Sequence, residues 1–360
     1  MVICLTNGVQ VCVKLRVGAG FLHGLKRMKA ITYSQYGPPS VLQLKDVGVP
    51  VPKDDEVLIR VRAAEATKAD CEMRSFNFSV KWFWLPLRLV LGVTKPRRRI
   101  LGGYFSGEIE SAGKDVTCFS VGDPVFGAAQ LRLGAYGAYV ALPASYSIVA
   151  KPENMTFAEA AAVPLGGLNA LHFMRRAKIR PGERVLINGA GGSIGAHAVQ
   201  IAKALGADVT AVDSTIKEDM LRRIGTDHFI DYTKQSFTTI GEKYDVIFDM
   251  VPASSYTACI KMLNPGGRYL SGNPRFSVML RSFFTTRFTN KKAVVAFARE
   301  SREELLALKE MIEGGKIRSI VDRIYPMEQA AEAHRRVETE RRLGAVVIAI
   351  DHSSDELPIG

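Results

Sequence analysis

The chain runs to 360 residues, 47% of them hydrophobic and 23% charged, an ordinary globular composition that can build a core without disulfides or metals. The formal net charge of +12 is local: residues 1–29 carry five Lys or Arg and no acid, and residues 80–107 carry Lys81, Arg88, Lys95, Arg97, Arg98 and Arg99 and no acid, so the nearly neutral body does not read as a nucleic-acid binder. Five scattered cysteines form no CxxC pair, which excludes a disulfide framework and a zinc finger and fits a reducing, cytoplasmic compartment; no run of about 18 apolar residues is present to cross a membrane.

The length suggests two domains. Residues 1–27 are basic and partly apolar, but polar residues interrupt them and no cleavage site follows, so they read as an extension without a functional role, with Met28 opening MKAITYSQYG. Residues 28–150 read as β-rich: EVLIRVRAAEA alternates like a half-buried strand, and GEIESAG, FSVGDPVFG and GAYVAL are short strands punctuated by glycines. From about residue 151 the rhythm changes. The strands ERVLING, DVTAVD, HFIDY, DVIFDM, GGRYLSG and KKAVVAFA are spaced by helices, among them SIGAHAVQIAKALGA with Ile194, Ala198, Ile201, Ala202 and Leu205 on one face. Such alternation marks parallel βαβ units. After residue 300, REELLALKEMIEGG reads as a helix and VDRIYP and GAVVIAI as strands.

The strongest motif is Asn188-Gly189-Ala190-Gly191-Gly192-Ser193-Ile194-Gly195, between a strand and a helix. Its glycines let the backbone turn sharply and approach a pyrophosphate, which the free N–H groups of the helix start then receive. In strict form it is A-x-G-x-x-G on Ala190, Gly192 and Gly195, and the strand–loop–helix–strand context lifts it above a bare glycine count. Asp213 ends the next strand, eighteen residues past Gly195, where an acid bonds the ribose hydroxyls of NAD. Ser214, Thr215, Lys217, Arg222 and Arg223 follow, and these suit a 2′-phosphate.

These segments resemble the medium-chain dehydrogenase/reductase superfamily, in its zeta-crystallin-like quinone oxidoreductase branch. The resemblance runs from about Met28 to Ile350 and is carried by ILGGYFSGEIESAGKDVTCFSVGDPVFG, AEAAAVPLGGLNALHFM, RVLINGAGGSIGAHAVQIAKALGADVTAV, HFIDYTKQSF, NPGGRYLSGNP and GAVVIAI. Gln200 and Lys203 fit the branch's signature run; Gly191, where Ser or Ala is usual, and Ser193, where Gly is usual, depart from it. The resemblance implies an α/β protein, a Rossmann doubly wound parallel sheet inserted into a GroES-like β-rich catalytic domain. The units would be 28–150 plus 300–360 and 151–299, with strand 345–350 back in the first.

The resemblance also tests for zinc. Where zinc-dependent relatives carry ligands, this chain has Ala66-Thr67-Lys68-Ala69-Asp70 and Gly102-Gly103-Tyr104-Phe105, and Cys71 alone cannot build a three-ligand site. A zinc-free enzyme is expected, with the acceptor polarised by hydrogen bonds. Thr67 and Asp70 match the family's nicotinamide-pocket Asn and Asp, and Tyr104 stands where a further Asp is usual; a phenol there can donate a proton. The competing readings are a helix or turn cap for Asp70 and a core aromatic for Tyr104. Ala190, Gly191, Gly192, Ser193, Ile194, Asp213, Ser214, Lys217 and Tyr232 are implied for the dinucleotide, with Ser271, Gly272 and Asn273 beside the nicotinamide. NADP(H) is favoured over NAD(H).

Residues 76–100 join an apolar core to basic residues and read as a helix packed on the domain, a cap over an apolar substrate pocket, or an interfacial helix on anionic lipid. The main expectation is hydride transfer from NAD(P)H to an apolar quinone, enone or other activated carbonyl. The alternatives are zinc-free alcohol dehydrogenation and a non-catalytic nucleotide-binding or membrane-associated module. A homodimer is implied by the resemblance alone.

Overall fold

A computed structural model describes residues 27–78, 84–272 and 275–350. Almost all of the N-terminal extension, part of the basic-apolar stretch, and Asn273 fall outside these residues. In chain order β1 (Arg27–Thr32), β2 (Gln43–Gly48) and β3 (Glu56–Ala66) come first, then α1 (Lys68–Ser75) and α2 (Trp84–Leu91), then β4 (Tyr104–Ala112), β5 (Pro124–Ala128), β6 (Tyr139–Pro143) and β7 (Ile148–Ala150). Helices α3 (Phe157–Ala161) and α4 (Pro164–Ala177) lead into β8 (Arg184–Asn188), α5 (Ser193–Ala204), β9 (Asp208–Asp213), α6 (Glu218–Arg223) and β10 (His228–Asp231). Next come β11 (Tyr244–Asp249), α7 (Tyr256–Lys261), β12 (Leu263–Ser271), α8 (Phe276–Phe288) and β13 (Lys292–Val295). The chain finishes with α9 (Arg302–Glu313), β14 (Val321–Pro326), α10 (Ala330–Glu338) and β15 (Ala345–Ala349).

The first sheet has seven strands in the order β14-β15-β3-β4-β5-β7, with β6 also paired to β3. β3 is therefore central, and its sequence alternation does not translate into a solvated face. Ile59, Val61 and Ala64 lie in one apolar core, while Ala63 on the other face meets Phe157, Ala161 and Val347. Even its charged Glu65 is buried, at 1% exposure.

The second sheet has six parallel strands in the order β10-β9-β8-β11-β12-β13, the doubly wound arrangement in which ligands bind at the carboxyl edge where the order reverses. That reversal lies between β8 and β11. Its core joins the buried faces of α4 and α5 to Val185, Ile187, Val209, Val246 and Phe248. Leu205, grouped by sequence with the buried face of α5, lies just past the helix end and is 40% exposed. Helix α9 contributes Leu305, Leu308 and Ile312 to this second core, while Glu300 just before it already bonds Tyr104 and Ser147 of the first domain and β14 joins the first sheet. Helix α8 fills the crossover between the strands read as GGRYLSG and KKAVVAFA, whereas α10 had no counterpart in the sequence reading. α8 turns Phe276, Met279, Leu280, Phe283, Phe284 and Phe288 to solvent.

Candidate active site

The glycine fingerprint connects β8 to α5 at the reversal point. Gly189 has φ +83°, and a Cβ on Gly195 would come within 2.2 Å of the Gly189 carbonyl oxygen, so the turn closes only because both side chains are absent. Gly192 caps α5 with no side-chain hydrogen bond, which leaves first-turn N–H groups facing outward. The first domain braces this loop: Gly344 N–H donates to the Gly191 carbonyl at 2.9 Å, and Gly192 and Gly344 form an isolated parallel bridge.

At the far end of the cleft Asp213 closes β9. Its Oδ2 accepts from Gly191 N–H at 2.8 Å and its Oδ1 from Ser214 N–H at 2.8 Å. The Lys217 ammonium stands 3.0 Å from Oδ1, and both side chains are buried. The residue offered for ribose and the residue offered for a 2′-phosphate are thus locked on each other. Tyr232 is 58% exposed and donates its backbone N–H to the Asp213 carbonyl at 3.2 Å. Ser271 is buried at the end of β12, and Gly272 lies against Met250 and Phe173.

The first-domain candidates gather at the opposite end. Thr67 caps α1 through a capping box: its Oγ1 donates to Asp70 Oδ2 at 2.6 Å, its N–H donates to the same oxygen at 3.1 Å, and Asp70 N–H returns 3.0 Å to Oγ1. Asp70 Oδ1 accepts from Gly102 N–H at 3.0 Å, and the Tyr136 hydroxyl also faces this carboxyl. Burial raises the Asp70 carboxyl above its ordinary range, with those bonds opposing. Both residues therefore have their polar atoms engaged locally. Tyr136 passes contact on to His334 Nε2 at 3.1 Å, and His334 Nδ1 lies 3.4 Å from Cys71 Sγ. Burial keeps His334 neutral down to about pH 3 and pushes the Cys71 thiol up, so Cys71 is a small buried residue, not a thiolate.

Tyr104 donates its hydroxyl to Glu300 Oε1 at 2.9 Å. Burial, with Glu300 next, holds its proton well above the ordinary tyrosine range, and burial likewise raises Glu300. Neither Glu300 nor Glu65 was singled out from sequence. Glu65 lies within electrostatic reach of Asp70, Tyr104 and Tyr136 and faces Ser193 on α5, so it stands between these first-domain residues and the fingerprint helix. Among the described residues no three His, Cys, Asp or Glu side chains converge as a metal ion would require.

Two motif residues have local roles. Gln200 donates from Nε2 to the Arg318 carbonyl at 2.9 Å and accepts from Arg318 N–H at 2.9 Å, and Lys203 pairs with Asp227 at 2.7 Å. They line a cavity of about 630 Å³ at the other end of α5, away from this cleft. In α2, the Arg88 guanidinium stacks over Phe76 at 4.2 Å and Tyr36 at 4.8 Å, so that basic residue is held by aromatic faces, while Leu89 and Val90 are exposed. No described helix is long and apolar enough to cross a membrane.

The cradle fits a dinucleotide. Its helix opens uncapped, its glycines admit a close approach, and two buried atoms beside it, Glu65 Oε2 and Ser193 Oγ, have no hydrogen-bond partner among the described residues. Comparison with known proteins adds to this. Residues 53–153 match the alcohol dehydrogenase GroES-like domain family, and residues 224–348 match the zinc-binding dehydrogenase family. Quinone oxidoreductase of Sus scrofa is 30% identical over 327 residues, covering 87% of this chain and 95% of that protein. The 2-methylene-furan-3-one reductase of Solanum lycopersicum is 30% identical over 89% of this chain and 79% of its own. The quinone oxidoreductase of Coxiella burnetii superposes with a TM-score of 0.79 at 29% identity, covering 91% of this chain and 100% of that one.

Proposed function

Because the chain belongs to the medium-chain dehydrogenase/reductase superfamily, in its zeta-crystallin-like quinone oxidoreductase branch, we propose that Tyr104 is the proton donor of its NAD(P)H-dependent reduction of a quinone, enone or related activated carbonyl. The observation that carries this reading is the Tyr104–Glu300 pair, which lies within electrostatic reach of Glu65, a residue that faces Ser193 in the first turn of the fingerprint helix. The relatives' names favour reduction of such an acceptor over oxidation of a simple alcohol.

Gly191, Gly192, Ser193 and Ile194 would hold the diphosphate through the first turn of α5. The bound dinucleotide would supply the hydride. As negative charge builds on the acceptor oxygen, Tyr104 donates a hydrogen bond and then its proton. Burial raises the Glu300 carboxyl behind it, which favours its protonated form and so the return of a proton to the phenol after transfer. Thr67 and Asp70 fix the entry of α1, and so act by holding the pocket wall. We assign no role to zinc. At the other end, Lys217 offsets the Asp213 charge, so a 2′-phosphate would meet a compensated pair; this favours NADP(H). A small carbonyl or quinone substrate, a homodimer and a cytoplasmic location complete the reading.

The test is thermal unfolding with NADPH and with NADH in separate samples, followed by turnover with quinones and enones. A dinucleotide at a hundred times its Kd stabilises by about 2.7 kcal/mol. Tyr104→Phe is expected to lower enone kcat by about 100-fold while leaving nucleotide binding intact. Unchanged kcat in that variant removes Tyr104 from the chemistry, and no shift with either nucleotide removes the dinucleotide.

A further inference from the structure

Helix α8 is built inside out. Its inward side carries the small and polar residues. Val278 packs against the core that holds Tyr256 and Tyr269. Ser282 is buried and donates to the Val278 carbonyl at 2.7 Å, and Thr285 Oγ1 accepts from the Tyr256 hydroxyl at 2.7 Å. The large apolar residues Phe276, Met279, Leu280, Phe283, Phe284 and Phe288 recur every three or four positions and are exposed, Phe283 at 63% and Phe288 at 71%. Phe284 stacks on Phe288 with centroids 5.9 Å apart and meets Phe283 edge-on at 5.7 Å, so the stripe is continuous at this end. A helix ordinarily turns such a stripe to the core, and a contiguous apolar patch left outside marks an interaction site.

Charge selects what covers it. From residue 250 to residue 299 the sequence holds eight Lys or Arg and no Asp or Glu, so the stripe has no acid of its own segment to offset its cations. Arg275, Arg281, Arg287 and Lys292 on and beside the helix are exposed, and the Arg287 guanidinium lies 5.6 Å from the Phe288 ring centre. A second copy docked on this face about a two-fold axis would set these arginines against their own equivalents, and like charges resist that pairing. An anionic lipid surface meets both demands: the phenylalanines enter the boundary between headgroups and acyl chains, and the guanidinium groups bind headgroup phosphates. At 13 residues, about 20 Å of helix, α8 is too short to span a bilayer and long enough to lie along its surface.

We propose that the outward face of α8 docks this protein on an anionic phospholipid membrane, with the phenylalanine stripe in the interface and Arg281 and Arg287 on the phosphates. The inference goes beyond the reductase reading and does not depend on it.

The experiment is flotation of the full chain with vesicles of phosphatidylcholine alone, and of phosphatidylcholine with about one-third phosphatidylglycerol, at about 0.05 M and about 0.5 M salt. Wild type should float with the anionic vesicles at low salt, bind the zwitterionic ones at least about tenfold more weakly, and bind less at the higher salt. Phe283→Ser combined with Phe284→Ser should lower partitioning about tenfold or more at either salt. Arg281→Gln combined with Arg287→Gln should lower it about thirtyfold at low salt, roughly fivefold per arginine, and far less at high salt. All four side chains are exposed, so both variants should keep the wild-type Tm, which separates lost binding from lost fold. A wild-type chain that leaves the anionic vesicles at low salt overturns the inference, as do variants that float like wild type. So does a wild-type chain that sediments as a dimer and becomes a monomer when Phe283 and Phe284 are replaced, because the face then belongs to a second copy. Nucleotide binding enters none of these outcomes, so the reductase reading is tested separately.

Discussion

The two ends of the cofactor cleft are built on opposite terms. At the end assigned to adenosine, Asp213 is saturated: Gly191, Ser214 and Lys217 take its oxygens, and the pair is closed to solvent. At the other end, Glu65 and Ser193 are just as buried and leave polar atoms open. A saturated buried pair holds its shape on its own bonds, whereas a buried polar group without a partner costs the folded chain its desolvation. The Asp213 end is thus a preformed pair, whereas the Glu65 end keeps unmet polar groups in the folded chain.

The largest test of this contrast is the pH dependence of stability. The Glu65 carboxyl titrates near 8 when folded, against 4.5 for a free side chain. Between those values the folded chain keeps a proton that the unfolded chain releases. The contribution is therefore full below about pH 4.5 and lost as pH climbs through 8. Urea unfolding should show wild-type stability falling roughly 4 kcal/mol further than that of Glu65→Gln over this interval; parallel slopes would mean that the carboxyl is not held neutral. Next in size is the Asp213–Lys217 pair. Lys217→Ala leaves Asp213 buried and unpaired and should cost about 3 kcal/mol. Adding Asp213→Asn should recover most of it, and a double variant no more stable than the single one would break the picture of a saturated end. The smallest effect is at Thr67. Losing the cap should cost about 1 kcal/mol in Thr67→Ala, with kcat nearly unchanged; a large kcat loss at unchanged stability would instead put Thr67 against the substrate.

Much of the adenosine side was legible in the sequence, because glycine spacing, a following strand and a terminal acid are local patterns. Even the Asp213–Lys217 pair has helical i,i+4 spacing, although it was read as two separate offers to a ligand. The other side was less legible for physical reasons. Thr67-Lys68-Ala69-Asp70 contains a helix-start pattern, and that local signal accounts for the bonds between the two residues, whereas the Gly102 N–H on Asp70 Oδ1 comes from a distant segment. Glu65 looked like the polar half of an alternating strand. Its burial depends on β15, which arrives some 280 residues later in the chain. Glu300 lies in an irregular segment with no periodicity, and only the fold brings it to Tyr104. The solvated phenylalanines of α8 defeat the same logic from the other direction, since an apolar stripe ordinarily announces a core.

That late pairing also bears on how the protein is made. β3 is complete before the parallel sheet has been synthesised, yet Ala63–Ala66 pair with Val346–Ala349, so this side of β3 stays an open edge until almost the whole chain has emerged. Open edges invite pairing with the wrong strand, and closure over such a sequence separation is slow. The inserted domain can fold first on its own local contacts, holding the two ends of the split domain near one another while the nascent first sheet waits for its last strands. Chains stopped short of residue 345 should accordingly burden chaperones far more than those carrying a lesion of equal thermodynamic cost in α8.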